Sequence, residues 1–154
     1  MTQKLRIALC ALAVLVLAAA CGKKEETLSR NCDSDIASGY CDSGGTKCTV
    51  KVAISACGVQ PTTTPEKLHV CKQNTKITWT LAATGSASGA KFAPNGVDFK
   101  GNPEFEHPKP GNTEFEWMDK HSRADPEHPA KYDLHVLTKD ASTCVNYDPY
   151  VFNE

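Results

Sequence analysis

The chain reads as an all-β protein, an antiparallel β-sandwich with a disulfide-stapled N-terminal extension, and three observations carry that reading. After the first few dozen residues, apolar positions recur with a period of two in seven or eight short runs. Pro, Gly and Asn punctuate these runs, and none keeps the 3.6-residue period of an amphipathic helix. Six cysteines remain once the N-terminal segment is set aside, an even number suited to disulfides. A closed barrel with the same strand count fits the periodicity equally well.

The runs follow in order. In residues 48–57, CTVKVAISAC, Val50, Val52, Ile54 and Ala56 alternate with Thr49, Lys51, Ala53 and Ser55, the pattern of a strand with one buried face. Residues 58–65 form a turn-rich connection. KLHVC then turns Leu68 and Val70 inward, and KITWTLA does the same with Ile77, Trp79 and Leu81. Residues 83–90, ATGSASGA, read as a loop of small residues. A short strand follows with Val97 and Phe99, then NTEFEWMD with Phe115 and Trp117 inward, then AKYDLHVL with Tyr132, Leu134 and Val136 inward. After a loop holding Cys144, the chain closes on Tyr150, Val151 and Phe152. Two connections, NPEFEHPKPGN and KHSRADPEHPA, are rich in proline and charge and read as loops.

The N-terminus is of another kind. Lys4 and Arg6 precede an apolar run from Ile7 to Ala20, which is shorter than the roughly 20 apolar residues a membrane-spanning helix needs. The run ends in Leu17-Ala18-Ala19-Ala20-Cys21-Gly22, and small residues directly before a cysteine resemble the lipobox of bacterial lipoproteins. The resemblance implies removal of residues 1–20, lipid on Cys21 and residence on the outer membrane, at its periplasmic face or on the cell surface. Residues 21–31, polar and aperiodic, read as a tether, and residues 32–154 as one domain. An ordinary secretory signal cut after Ala20 would also place the chain outside the cytoplasm.

Without residues 1–20 the chain holds 15 basic and 18 acidic residues, a mild acidic excess that argues against a nucleic-acid partner. The expected partners are the membrane, through lipid, and an unidentified protein or small ligand. Cys32, Cys41, Cys48, Cys57, Cys71 and Cys144 show no C-x-x-C spacing, so disulfides are expected ahead of a zinc ribbon or a thioredoxin-like motif. Their placement suggests Cys71 bonded to Cys144, with the other four paired among themselves in one of three ways.

From residue 76 to the C-terminus, the order ITWTL, FAPNGVDFKG, FEWMDKHS, KYDLHVL and DPYVFNE resembles a group of small bacterial β-sandwich proteins known as DP-EP proteins. Asp148, Pro149 and Glu154 match that group's C-terminal signature. The resemblance implies an immunoglobulin- or cupredoxin-like sandwich and carries no settled activity.

Three candidate chemistries stand out. Glu-His-Pro occurs twice, so His107 and His128, with His121 or Asp125 as a third ligand, would suit copper or zinc if their loops met. Ser88, in SASGAKF, sits in a stretch similar to the Ser-Gly-x-x-Tyr loop of membrane-bound lysozyme inhibitors, with Phe92 in place of tyrosine. Enzyme signatures such as G-x-S-x-G, H-E-x-x-H or a glycine-rich phosphate loop do not occur. The expectation is a non-catalytic binding or accessory module needing no cofactor, with a metal-binding protein and a cell-wall hydrolase inhibitor as alternatives.

Overall fold

The computed structural model of the chain describes residues 32–125 and 127–154. The expected signal segment, the lipidation site Cys21 and the tether lie outside the described residues. Among those described, no helix is long and apolar enough to cross a membrane.

The strands are β1 (Lys47–Ile54), β2 (Thr62–Thr64), β3 (Lys67–Val70), β4 (Thr75–Ala83), β5 (Lys91–Asp98), β6 (Phe105–Pro110), β7 (Glu114–Asp119), β8 (Ala130–Lys131), β9 (Asp133–Leu137), β10 (Thr143–Tyr147) and β11 (Tyr150–Asn153). A five-stranded sheet in the order β2-β1-β4-β7-β6 faces a layer made of two three-stranded sheets, β10-β9-β5 and β3-β11-β8. These are open sheets with edges, so the arrangement is a sandwich and the barrel is set aside. The second layer is split because β8 and β9 follow one another with only Tyr132 between them, yet take different partners.

The period-two faces close the core as the sequence indicates. Val50, Val52 and Ile54 of β1, Ile77 and Trp79 of β4 and Phe115 of β7 belong to one buried cluster with Leu68, Val70, Leu134, Val136 and Val151 of the other layer. Trp79 is fully buried and meets Tyr132 and Phe99 edge-on, with ring centroids 5.2 and 5.9 Å apart. Burying an aliphatic or aromatic side chain of this kind stabilises the fold by about 1.5–3 kcal/mol.

Several expectations need correction. The sandwich is not purely antiparallel: β1 runs parallel to β4, and β3 parallel to β11. Each parallel pair follows from a crossover, since the chain leaves the first layer after β2, lays down β3 opposite, and returns as β4. Part of the loop NPEFEHPKPGN is the edge strand β6. It tolerates Pro108 and Pro110 because an edge strand has one side free of ladder bonds, and its register against β7 shifts between Glu106 and Lys109. Strand β2 falls in the connection 58–65, and β10 contains Cys144 where a loop was expected. Residues 32–37 are helical, and a 3-10 turn (Gly85–Ala87) interrupts the small-residue loop.

All six cysteines of the described residues are bonded, as Cys32–Cys71, Cys41–Cys48 and Cys57–Cys144. The expected Cys71–Cys144 bond does not form, because these residues lie at opposite ends of the sandwich. Cys71 follows the last residue of β3, close to where β4 begins, whereas Cys144 lies beside the turn after β1, where Gly58 N donates to Cys144 O at 2.9 Å.

Candidate functional site

Strand directions divide the candidate residues between two ends. At the entry end, where Cys32 is bonded to Cys71, β4 and β6 begin and β3, β7 and β11 finish. At the far end, β1, β4 and β9 finish and β5 and β10 begin. The nine residues of β4 (Thr75–Ala83) set these ends roughly 27 Å apart.

The entry end concentrates buried polar groups. The alternation that turns Phe115 and Trp117 inward on β7 continues to Asp119, and the one that buries Val151 on β11 continues to Asn153. Asp119 is 0 % exposed and Asn153 is 7 % exposed. Asp119 Oδ1 accepts from His121 N at 2.8 Å and from Asn153 Nδ2 at 3.4 Å, tying one layer to the other. Asp119 Oδ2, Asn153 Oδ1 and His121 Nδ1 are buried without a hydrogen-bond partner among the described residues. Burial pushes the Asp119 carboxyl up to about 6, against the pull of its hydrogen bonds from His121 and Asn153. Burial also lowers the His121 imidazole, which hydrogen-bonds the backbone of Glu154 and Val70.

A second buried acid lies close by. Asp35, in the helical segment, accepts from His69 N at 2.7 Å, and burial raises its pKa. His69 Nδ1 contacts a carboxylate oxygen of Glu154 and its ring stacks on Phe152, 5.2 Å between centroids. Glu104 completes this end. Its carboxylate accepts from Ser122 Oγ at 2.6 Å and Ser122 N at 2.7 Å, which holds it below the usual carboxylate range. Between these groups opens a cleft of about 110 Å³, lined by Asn102, Glu104, Arg123, Asp125, His128 and Asn153.

The expected metal ligands are not assembled. His107 occupies the irregular part of β6 with a left-handed backbone, φ 55°; its side chain is 75 % exposed, and Nε2 lies 3.5 Å from Glu106 Oε1. His128 is also exposed, and its Nδ1 lies 2.9 Å from Asp125 Oδ1. His121 is buried under the end of β11. Among the described residues, no group of three or more His, Cys, Asp or Glu side chains is placed to hold a metal ion. The repeated Glu-His-Pro therefore marks two separate loci, a strand irregularity and a loop. Asp133 and His135 do approach each other, with 3.9 Å from His135 Nε2 to Asp133 Oδ2, but His135 Nδ1 is taken by Asn146 at 2.8 Å.

The far end is built from small residues. Ala87 and Ala90 are buried, so the loop is packed down onto the core, while Gly85, Ser86, Ser88 and Gly89 are exposed, with Ser88 between two backbone bonds, Ser88 N to Gly85 O and Ala90 N to Ala87 O. Phe92 is a core residue, edge-on to Phe115 at 6.1 Å. Next to this turn, a groove of about 400 Å³ is lined by Lys91, Phe92, Pro94, Pro110, Asn112 and Leu137. Val59, one of two large apolar residues exposed among those described, lies in the turn after β1 at the same end. Ser88 and His128 thus stand at opposite ends and do not form one contact surface. Neither a family model nor a curated protein matches the chain.

Proposed function

We propose that the protein is a lipid-anchored, non-catalytic binding module of the bacterial envelope that presents its far end to a partner. The observation that carries this reading is the placement of the chain entry. Cys32 is fastened to Cys71 at the entry end, so a lipid on Cys21 would join the domain there through at most 11 residue steps, about 40 Å of extended chain. The exposed turn at Ser88, the groove beside Lys91 and Pro110, and Val59 then lie at the end opposite the tether. Two further features support a binding role. The six cysteines are engaged in disulfides, and the histidines contact carboxylates, an amide or backbone groups, an arrangement suited to a stiff scaffold displaying loops.

The reading is tested with a photo-crosslinking residue placed at Ser88 or, as the entry-end control, at Asp42, in cells carrying the intact Cys21. Discrete adducts from position 88 and none from position 42 are expected. Equal labelling from both positions would remove the far end as the contact surface. The variant Cys21→Ala should move the protein from the membrane fraction to the soluble fraction, and unchanged fractionation would remove the anchor.

A further inference from the structure

We propose that Asp119 is a proton-operated latch: with its carboxyl protonated, the residues after β7, from Lys120 to Asp125, and the last residues of β11 are fastened over the entry end, and on ionisation they loosen and admit water. The geometry is that of a charge with no means of support. Asp119 ends β7, opposite Thr75 of β4 and Phe105 of β6, and is sealed from the other layer by Asn153 of β11. A single oxygen does all the joining, to His121 N and Asn153 Nδ2, while Oδ2 faces buried surroundings with no donor.

No cation compensates it. Among the ion pairs of the described residues none involves Asp119; Lys120 reaches instead to Glu106 Oε2 at 3.7 Å. The titratable groups around it are Glu104 beside β6, whose charge adds to the repulsion, and His121 in the loop, which is buried and disfavoured as a cation. Beyond His121 lie Glu154 at the end of β11 and, from β3, His69 in contact with Glu154, with Asp35 held on the His69 backbone. Arg123 acts on Glu104. A desolvated carboxylate so placed is relieved either by taking a proton or by letting water in. The proton removes the charge and adds a donor where two residues already touching Asp119 carry donorless buried acceptors, His121 Nδ1 and Asn153 Oδ1. Water has an entry through the adjoining polar cleft that Asn153 lines.

Burial sets the midpoint at about 6 in the folded protein, against 3.8 when the side chain is free in water. The folded form therefore holds the proton more tightly, and closure weakens as pH rises from 3.8 through about 6. The physiological setting rests on the envelope location proposed above, where the pH follows the medium; the latch itself does not.

The test is amide hydrogen exchange on the mature protein in detergent micelles, with rates referred to the intrinsic rate at each pH. The reporters are His121, Asp125 and Glu154, whose N–H groups bond to Asp119 Oδ1, Asn153 O and Val70 O. Their protection should fall about tenfold between pH 5 and pH 7.5, as linkage between pKa values of 3.8 and about 6 requires, and should stay below that of the core amides of Ile77 and Trp79, which open only with the whole domain. Asp119→Asn should abolish the change. Equal protection at both pH values, the same fall in the Asn variant, or reporter protection as high as that of Ile77 and Trp79 would each overturn the latch. Should the variant fail to fold, the carboxyl carbon shift of wild-type Asp119 decides: titration near 6 supports the proposal and titration near 3.8 overturns it.

Discussion

The two ends of the sandwich are fastened by opposite means. The entry end holds buried acids, histidine–carboxylate contacts and two disulfides that span 39 and 7 residues, so its order depends largely on polar contacts. The far end relies on one disulfide that spans most of the domain and on small residues packed against backbone, so its order depends on shape. One fold thus carries an end held by polar contacts and an end held by shape. The distinction can be tested by breaking each end in its own terms.

The largest effect is expected at the far end. Cys57 and Cys144 are 87 residues apart, and a loop of that size constrains the unfolded chain by about 4–5 kcal/mol in the entropy model. Replacing both with serine should lower urea stability by that order. The double replacement of Cys41 and Cys48, only 7 residues apart, should lose about 2.5 kcal/mol. Equal losses from the two pairs would mean that native strain, not loop closure, decides, and would weaken the contrast between the ends.

At the entry end the corresponding experiment should stabilise. A carboxyl whose folded pKa is raised from 3.8 to about 6 disfavours the folded state by about 3 kcal/mol at pH 7 and above, and by almost nothing below pH 3.8. Asp119→Asn keeps an oxygen for the His121 and Asn153 donors and removes the charge. It should therefore raise unfolding free energy by on the order of 2–3 kcal/mol at pH 7.5, with the gain disappearing as pH falls towards 4. Urea titrations at the two pH values measure this, and a pH-independent change would assign the effect to packing.

A third, smaller contrast uses glycines. Gly85 has φ 55°, and a Cβ there would lie 2.6 Å from the Ser55 carbonyl oxygen; Gly39 has φ 74° but open space around it. Gly85→Ala should cost about 2 kcal/mol or more, and Gly39→Ala about 1 kcal/mol from backbone conformation alone. Similar values at both positions would show that the far-end turn yields.

Much of this was legible in the sequence because period-two alternation reports burial directly. Val50, Ile77, Trp79, Phe115, Leu134 and Val151 were all placed inward, and all are buried. The same rule, carried one step further along β7 and β11, reaches Asp119 and Asn153. Their polarity hid them, since an inward polar residue looks like the start of a loop. What alternation could not supply was long-range order. The parallel β1–β4 pairing depends on β3 crossing to the other layer, and the cysteine pairing depends on which ends then coincide. Proline in NPEFEHPKPGN signalled a loop, although the edge of a sheet accommodates it. The separation of His107, His128 and Ser88 likewise belongs to topology, and no local motif encodes it.

The smallest effect separates two carboxyls at the same end. Glu104, unlike Asp119, lies partly exposed with its charge met by Ser122 Oγ and N, which lowers its pKa below the ordinary 4.5. Its contribution is present above the unfolded pKa and lost as pH falls through the lower folded value, the reverse of Asp119. Glutamine offers one accepting oxygen in place of two, so Glu104→Gln should lose one of the Ser122 bonds at pH 7. Because both partners reach solvent, the loss should be a few tenths of a kcal/mol. As pH falls through the lowered folded pKa the side chain takes up its proton and the difference should shrink towards zero. In a background of Asp119→Asn the loss at pH 7 should be slightly larger, because there the change no longer relieves the repulsion that the Glu104 charge exerts on Asp119. If Glu104→Gln instead changed sign in that background, the two acids would form one coupled unit, and the latch would have to include Glu104.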